Sequence, residues 1–203
     1  MTLSTQANII SLMAKMRISK ELILSVALEI LEKKGISGLT MANIAGKCGI
    51  KPPSLYKHVC GIDQILDGLY LKWLQGLRDV LERSAVGKSG KEAITEIANG
   101  FRLYAHCNPG LYSISQPTHA GKDSEIEAIA MDIMKILGLV FAAFCPKKNV
   151  LNTIRTFRSF LHGFVDLEMK HGFGLPGNLD ESFRFSVNVF LTGIQTHNHR
   201  RKK

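Results

Sequence analysis

The sequence predicts an all-α fold: a small N-terminal three-helix unit of helix-turn-helix type, followed by a larger helical bundle. Three observations lead there. Apolar residues recur at helical spacing along nearly the whole chain, and no stretch alternates with the period of two that marks a half-buried strand. Gly and Pro punctuate the chain at intervals suited to helices rather than to hairpins. The excess of positive over negative charge sits in the N-terminal quarter and in a terminal tail, and the rest of the chain is close to neutral.

The elements follow in order. Residues 1–17 carry their charges late and have no convincing cleavage site, so they read as a mobile N-terminal arm and not as a signal peptide. Ile23, Val26, Ala27, Ile30 and Leu31 share one helical face, with Ser19 placed as an N-cap and Gly35 as a stop. In "TMANIAGKCG", Thr40 caps a second helix, Ile44 and Ala45 face the core, and Gly49 ends it. The third helix lies in "KCGIKPPSLYKHV". Pro53 suits a first helical position, where the missing N–H costs nothing, and Pro52 forces Lys51 into an extended conformation. Leu55 and Val59, four residues apart, anchor this helix to the unit. Helices are further expected from Asp63 to about Ser84 and over 91–107, 124–144, 147–170 and 180–196. Breaks are expected at Pro109–Gly110, at Pro146 and in "GFGLPGN". The last two helices are apolar on two sides: Phe183, Val187, Phe190, Leu191 and Ile194 on one face of the final helix, Phe185 and Val189 on another. Such helices are buried twice, and a homodimer interface through both of them accounts for the second face.

With Leu55 and Val59 turned inward, Ser54, Tyr56, Lys57 and His58 face out. Hydroxyl, phenol, ammonium and imidazole groups are the donors that phosphate oxygens and base edges accept. The charge agrees. The chain carries a net +9. Eight cations face four carboxylates over residues 15–63, and Arg200, Arg201, Lys202 and Lys203 form a basic tail. Lys47 reads as a solvated helix charge, and Lys33 and Lys34 as complements to a helix C-terminus.

"TMANIAGKCGIKPPSLYKHV" resembles the helix-turn-helix of the TetR family of transcriptional regulators, and the likeness extends back through "ALEILEKKGISGLT". "NPGLYSI" and "RTFRSFLHGFVDLEMKHGFGLP" are more loosely similar to a TetR ligand-binding subgroup with a His-Gly pair in its penultimate helix. The resemblance implies a helix-turn-helix domain over 18–62, an effector-binding and dimerisation domain over 63–196, and a basic tail over 197–203. It implies a homodimeric repressor, partnered by a palindromic double-stranded DNA operator and by a small-molecule effector. Thr40, Met41, Lys51, Pro52, Pro53, Ser54, Tyr56, Lys57 and His58 would face DNA. Trp73, Leu77, Phe101, Tyr104, Tyr112, Phe141 and Phe144 would line the effector space, with His162 as polar anchor. This chain has Lys51 where the family often has Ser, and Ile62 where it usually has Lys.

Other chemistries find less support. Cys48, Cys60, Cys107 and Cys145 are widely spaced, with no zinc-ribbon pattern, and read as reduced thiols of a cytoplasmic protein. No apolar run reaches membrane-spanning length. No nucleophile–His–Asp signature and no phosphate loop is present, so no catalytic residue and no cofactor is expected. Glu168-x-x-His171 is a fragment of a di-iron bundle motif without the second copy that motif needs, so no metal is expected. His106 and Cys107 read as the end of a helix. Two alternatives remain: an all-α metal- or heme-dependent sensor or enzyme using the His162–His171 region, and a helical interaction protein that has lost DNA binding.

Overall fold

The computed structural model describes residues 18–116 and 123–200, with side chains as far as residue 197. The expected N-terminal arm and the last three residues of the basic tail lie outside the described residues. The helices are α1 (Lys20–Gly38), α2 (Met41–Lys47), α3 (Pro52–Leu55), α4 (Ile62–Ala85), α5 (Gly90–Cys107), α6 (Pro109–Ser113), α7 (Ser124–Ala142), α8 (Val150–Met169) and α9 (Leu179–Arg200). A 3-10 turn over Lys147–Asn149 precedes α8. No strand occurs among the described residues.

Caps explain most of these boundaries. Ser19 accepts the Leu22 N–H at 3.3 Å, and Thr40 accepts that of Asn43 at 3.2 Å, each satisfying an orphan donor of the first turn. Gly35 (φ 66°) interrupts α1 before a final turn to Gly38. Asn178 opens α9, its side-chain oxygen accepting from the amides of Asp180 at 3.0 Å and Glu181 at 3.2 Å.

Three expectations shift. Pro52, not Pro53, takes the first helical position of α3, because Lys51 is already extended at φ −79°, ψ 146°. The segment expected as one helix over 147–170 begins instead with the 3-10 turn, set by Pro146. Pro109–Gly110, read as a break, opens the short helix α6.

The described residues fall into two compact units. One holds the chain through Trp73 together with Asn108–Ile126; the other holds Leu74–Cys107 and the chain from Glu127 onward. The core of the first is built on Ile23, Ala27, Ile44, Leu55, Ile65 and Leu69, none of which exposes any surface. The second is organised by aromatic side chains. Phe157 meets Phe141 edge-on at 5.3 Å, and Phe164 meets Phe183 edge-on at 5.0 Å. Such pairs add to area burial about 0.5–1.5 kcal/mol each.

Gly49 holds the turn between α2 and α3 at φ +70°, with nothing within 4 Å of an added Cβ. Gly49→Ala should therefore cost about 1–2 kcal/mol through backbone strain alone. Gly46, also in open space but inside α2, should gain about 0.5–1 kcal/mol as Ala. Urea unfolding of both variants checks the contrast in sign.

Candidate nucleic-acid interface

The turn from α2 into α3 is short and closed by main-chain bonds, Gly49 N–H to Gly46 O at 3.2 Å and Ile50 N–H to Ala45 O at 3.0 Å. Leu55 (0% exposed) and Val59 (2%) then fix α3 on the core of its unit. As a consequence Lys51, Pro52, Pro53, Tyr56, Lys57 and His58 are exposed together, while Ser54 and Met41 are half-buried and Thr40 is exposed at its cap. The outward face expected for α3 is thus present. The two prolines also remove the first N–H donors of α3, and the Ser54 N–H is used by Lys51 O at 2.9 Å. Donors on this face are therefore side chains.

The cations nearby are not equivalent. Glu29 on α1 binds Lys33 at 2.8 Å and Lys47 at 2.5 Å. The hydrogen bonds from Lys33 and then Lys47 hold the Glu29 carboxyl down to about 2. Lys51 and Lys57 have no side-chain partner among the described residues and remain available for phosphate. Cys60 N–H donates to the Gln64 side chain at 2.7 Å, which fixes the start of α4 where Ile62 stands half-buried.

The residues expected at an effector space are divided between the two units. Trp73 and Tyr112 belong to the first, in edge-on contact at 5.8 Å. Leu77, Phe101, Tyr104, Phe141, Phe144 and His162 belong to the second. Phe101 and His162 meet edge-on at 5.0 Å. Burial, reinforced by Arg158, pushes the His162 imidazole down to about 4, so it is neutral at physiological pH. Burial, with Asp79 adding to it, pushes the Tyr104 phenol up to about 12. Its hydroxyl lies where a Cβ on Gly76 would stand. Phe141 is fully buried between Phe157 and Phe190, a core position. Phe144 is half-buried in the turn after α7.

One constellation escaped the sequence reading. Arg102 on α5 grips both carboxylate oxygens of Glu168, with Nε 2.8 Å from Oε2, and its Nη1 reaches Asp180 at 2.7 Å. The guanidinium lies 4.9 Å from the centre of the Phe183 ring. His106 adds its Nε2 to Glu168 Oε2 at 2.8 Å. His106 is therefore more than a helix end, and Glu168 is held by an arginine and a histidine. Among the described residues no group of three or more His, Cys, Asp or Glu side chains is disposed to hold a metal ion. No helix of the described residues is long and apolar enough to cross a membrane.

A helix-turn-helix whose second helix, with the residues just before and after it, presents hydroxyl, phenol, imidazole and unpaired ammonium groups, in a chain helical throughout its ordered elements among the described residues, defines a DNA-binding transcriptional regulator. Residues 23–67 match the family described as bacterial regulatory proteins of the tetR family, and residues 94–190 match the tetracyclin repressor-like C-terminal domain. The chain belongs to the TetR family. It is 29% identical over 181 residues to the HTH-type transcriptional regulator YobS of Bacillus subtilis, covering 89% of this chain and 95% of that protein. Over 86 residues it is 36% identical to the class D tetracycline repressor protein of Escherichia coli, covering 42% of this chain and 39% of that one. The fold is shared with TetR-Q116A of Acinetobacter baumannii, solved in complex with minocycline. That likeness has a TM-score of 0.66 at 20% identity, over 90% of this chain and 99% of that one.

Proposed function

We propose that the protein is a ligand-responsive cytoplasmic repressor that binds a palindromic operator as a homodimer and is released by a small-molecule effector. The observation that carries this reading is the exposed face of α3, set on a buried Leu55–Val59 anchor beside unpaired Lys51 and Lys57. Lys51, Tyr56 and Lys57 supply phosphate contacts. Pro52, Pro53, Ser54 and His58 stand toward base edges, with Thr40 and Met41 at the head of α2. Two such helices in one dimer would enter major grooves about 34–36 Å apart.

Dimerisation through α8 and α9 is supported by their second face. Phe185 and Val189 are 70% and 53% exposed. Gly163 and Gly193, inside these helices, have open space around an added Cβ. A helix-interior glycine costs about 0.5–1 kcal/mol, and close approach of a second backbone gives it a reason. The effector reading rests on the second unit, where Phe101, Tyr104 and neutral His162 offer apolar walls with uncharged polar groups, suited to an apolar or weakly polar molecule.

The test begins with selection of duplexes from a random pool by the full-length chain, followed by anisotropy titrations across a salt series. The affinity should fall steeply with salt, and Lys57→Ala, which removes one phosphate contact from each protomer, should flatten the log–log slope of the dimer by about 1.8 and weaken all sequences alike. Salt-independent association would remove the reading.

A further inference from the structure

The head of α3 is hydrocarbon. Lys51 is extended before it, and Pro52 and Pro53 fill its first two positions, both exposed. Neither has an N–H, and that of Ser54, the next along, is taken by Lys51 O at 2.9 Å. The carbonyls of a helix point along its axis, away from its head. Between the Lys51 ammonium and the Ser54 hydroxyl, α3 therefore presents two pyrrolidine rings and no hydrogen-bond donor. Burial of Leu55 (0% exposed) and Val59 (2%) holds these rings outward. Pro53, two positions before Leu55, lies across the helix from it. One proline at the first position is enough to start a helix. The second adds a ring to the exposed face.

A recognition helix meets base edges with its N-terminal residues. In the major groove those edges carry donors, acceptors and one hydrocarbon group, the C5 methyl of thymine. Rings without a donor can pair with none of the acceptors. A purine N7 or O6 beneath them would be stripped of water and left without a partner. The methyl is the one feature they match. 5-Methylcytosine carries the same group at the same ring position.

We infer that Pro52 and Pro53 are specificity-determining residues, which select a 5-methylpyrimidine in each half of the operator by packing their rings on its C5 methyl. This rests on the reading above, that α3 enters the major groove. Lys51 and Lys57 flank the rings and hold phosphates, contacts that carry no choice of sequence.

The test alters the DNA and leaves the protein intact. In the duplex selected by the full-length chain, deoxyuridine replaces thymidine one symmetric pair at a time, and anisotropy reads each affinity. One pair should lose about 15-fold, or about fourfold for the buried methyl carbon of each half-site. The salt slope should stay that of the parent duplex, since no phosphate contact is lost. Cytosine at that pair should bind no better than uracil, and 5-methylcytosine should recover about 15-fold over cytosine. A 5-methylcytosine duplex tighter than the thymine one names the methylated base as the source of the methyl, and a weaker one names thymine. The double variant Pro52→Ala, Pro53→Ala should bind thymine and uracil duplexes alike, because any loss from a looser start of α3 is common to both. Should it fail to bind, Pro52→Ala and Pro53→Ala are compared singly, and at least one should narrow the gap. A scan with no sensitive pair, or a gap unchanged in every variant that binds, would overturn the proposal while sequence-specific, salt-dependent binding stands. Loss of that binding in the wild type would remove the operator reading, and this proposal with it.

Discussion

Phe185→Asp is expected to leave the chain folded but monomeric, and to lower operator affinity by about 10²–10⁴, the gain that linking two binding modules confers. Phe185 is 70% exposed in the protomer, so its removal takes little from the protomer's own core. In an isologous interface the same substitution acts from both sides at once. Each new carboxylate must be stripped of water against an apolar face, and each pushes against its symmetry mate. Sedimentation equilibrium reads the assembly, and anisotropy on the selected duplex reads the affinity. A variant that stays dimeric would place the interface elsewhere. Melting curves close to wild type would show that the protomer is intact.

Arg102→Ala is the second large effect, expected to cost about 3 kcal/mol, the lower end for a broken buried pair. The side chain of Glu168 is 9% exposed and that of Arg102 18%, so the carboxylate left behind has limited access to water. Arg102→Lys should restore only part of the loss, since one ammonium cannot serve both Glu168 oxygens and Asp180 together. The acid limb carries a signature. Arg102 first, and His106 after it, hold the Glu168 carboxyl below its ordinary 4.5. A depressed carboxyl contributes stability that is present above its unfolded value and lost as pH falls through its folded one. The wild type should therefore lose stability as pH falls below 4.5, and Arg102→Ala should shrink that acid-sensitive part. Urea unfolding at a series of pH values measures both effects. An unchanged acid limb in the variant would show that another pair governs it.

The contrast between what the residues announced and what only coordinates revealed follows sequence distance. Ser19, Thr40, Gly49 and the Pro52–Pro53 pair act on neighbours within a turn or two, so cap and turn chemistry could be read directly, and the exposed face of α3 followed from the spacing of Leu55 and Val59. Even there the prolines were displaced by one position, as helix ends usually are. Helix α6 was hidden because Pro-Gly is a turn signal, and the side chain that caps it, Glu32, stands 78 residues earlier. The Arg102 cluster was hidden in the same way, its partner being 66 residues away. Glu168 did draw attention, but as half of a metal motif, because its spacing to His171 is visible in the sequence and its pairing with Arg102 is not. The aromatic candidates for an effector space illustrate a further limit. Helical periodicity shows that Trp73 and Phe101 face inward, but not which interior receives them, and Trp73 belongs with the first unit.

The discontinuity of that first unit also bears on the order in which the chain acquires its structure during synthesis. Trp73 is 1% exposed and rests against Tyr112, which the ribosome adds later. At translation speeds of about 5–20 residues per second, the interval between the two is roughly 2–8 s. Through that interval the helix-turn-helix segment exists with part of its apolar floor uncovered, and its amide cap on α6 does not yet exist. Completion of that core thus waits for residues 108–114 to be synthesised.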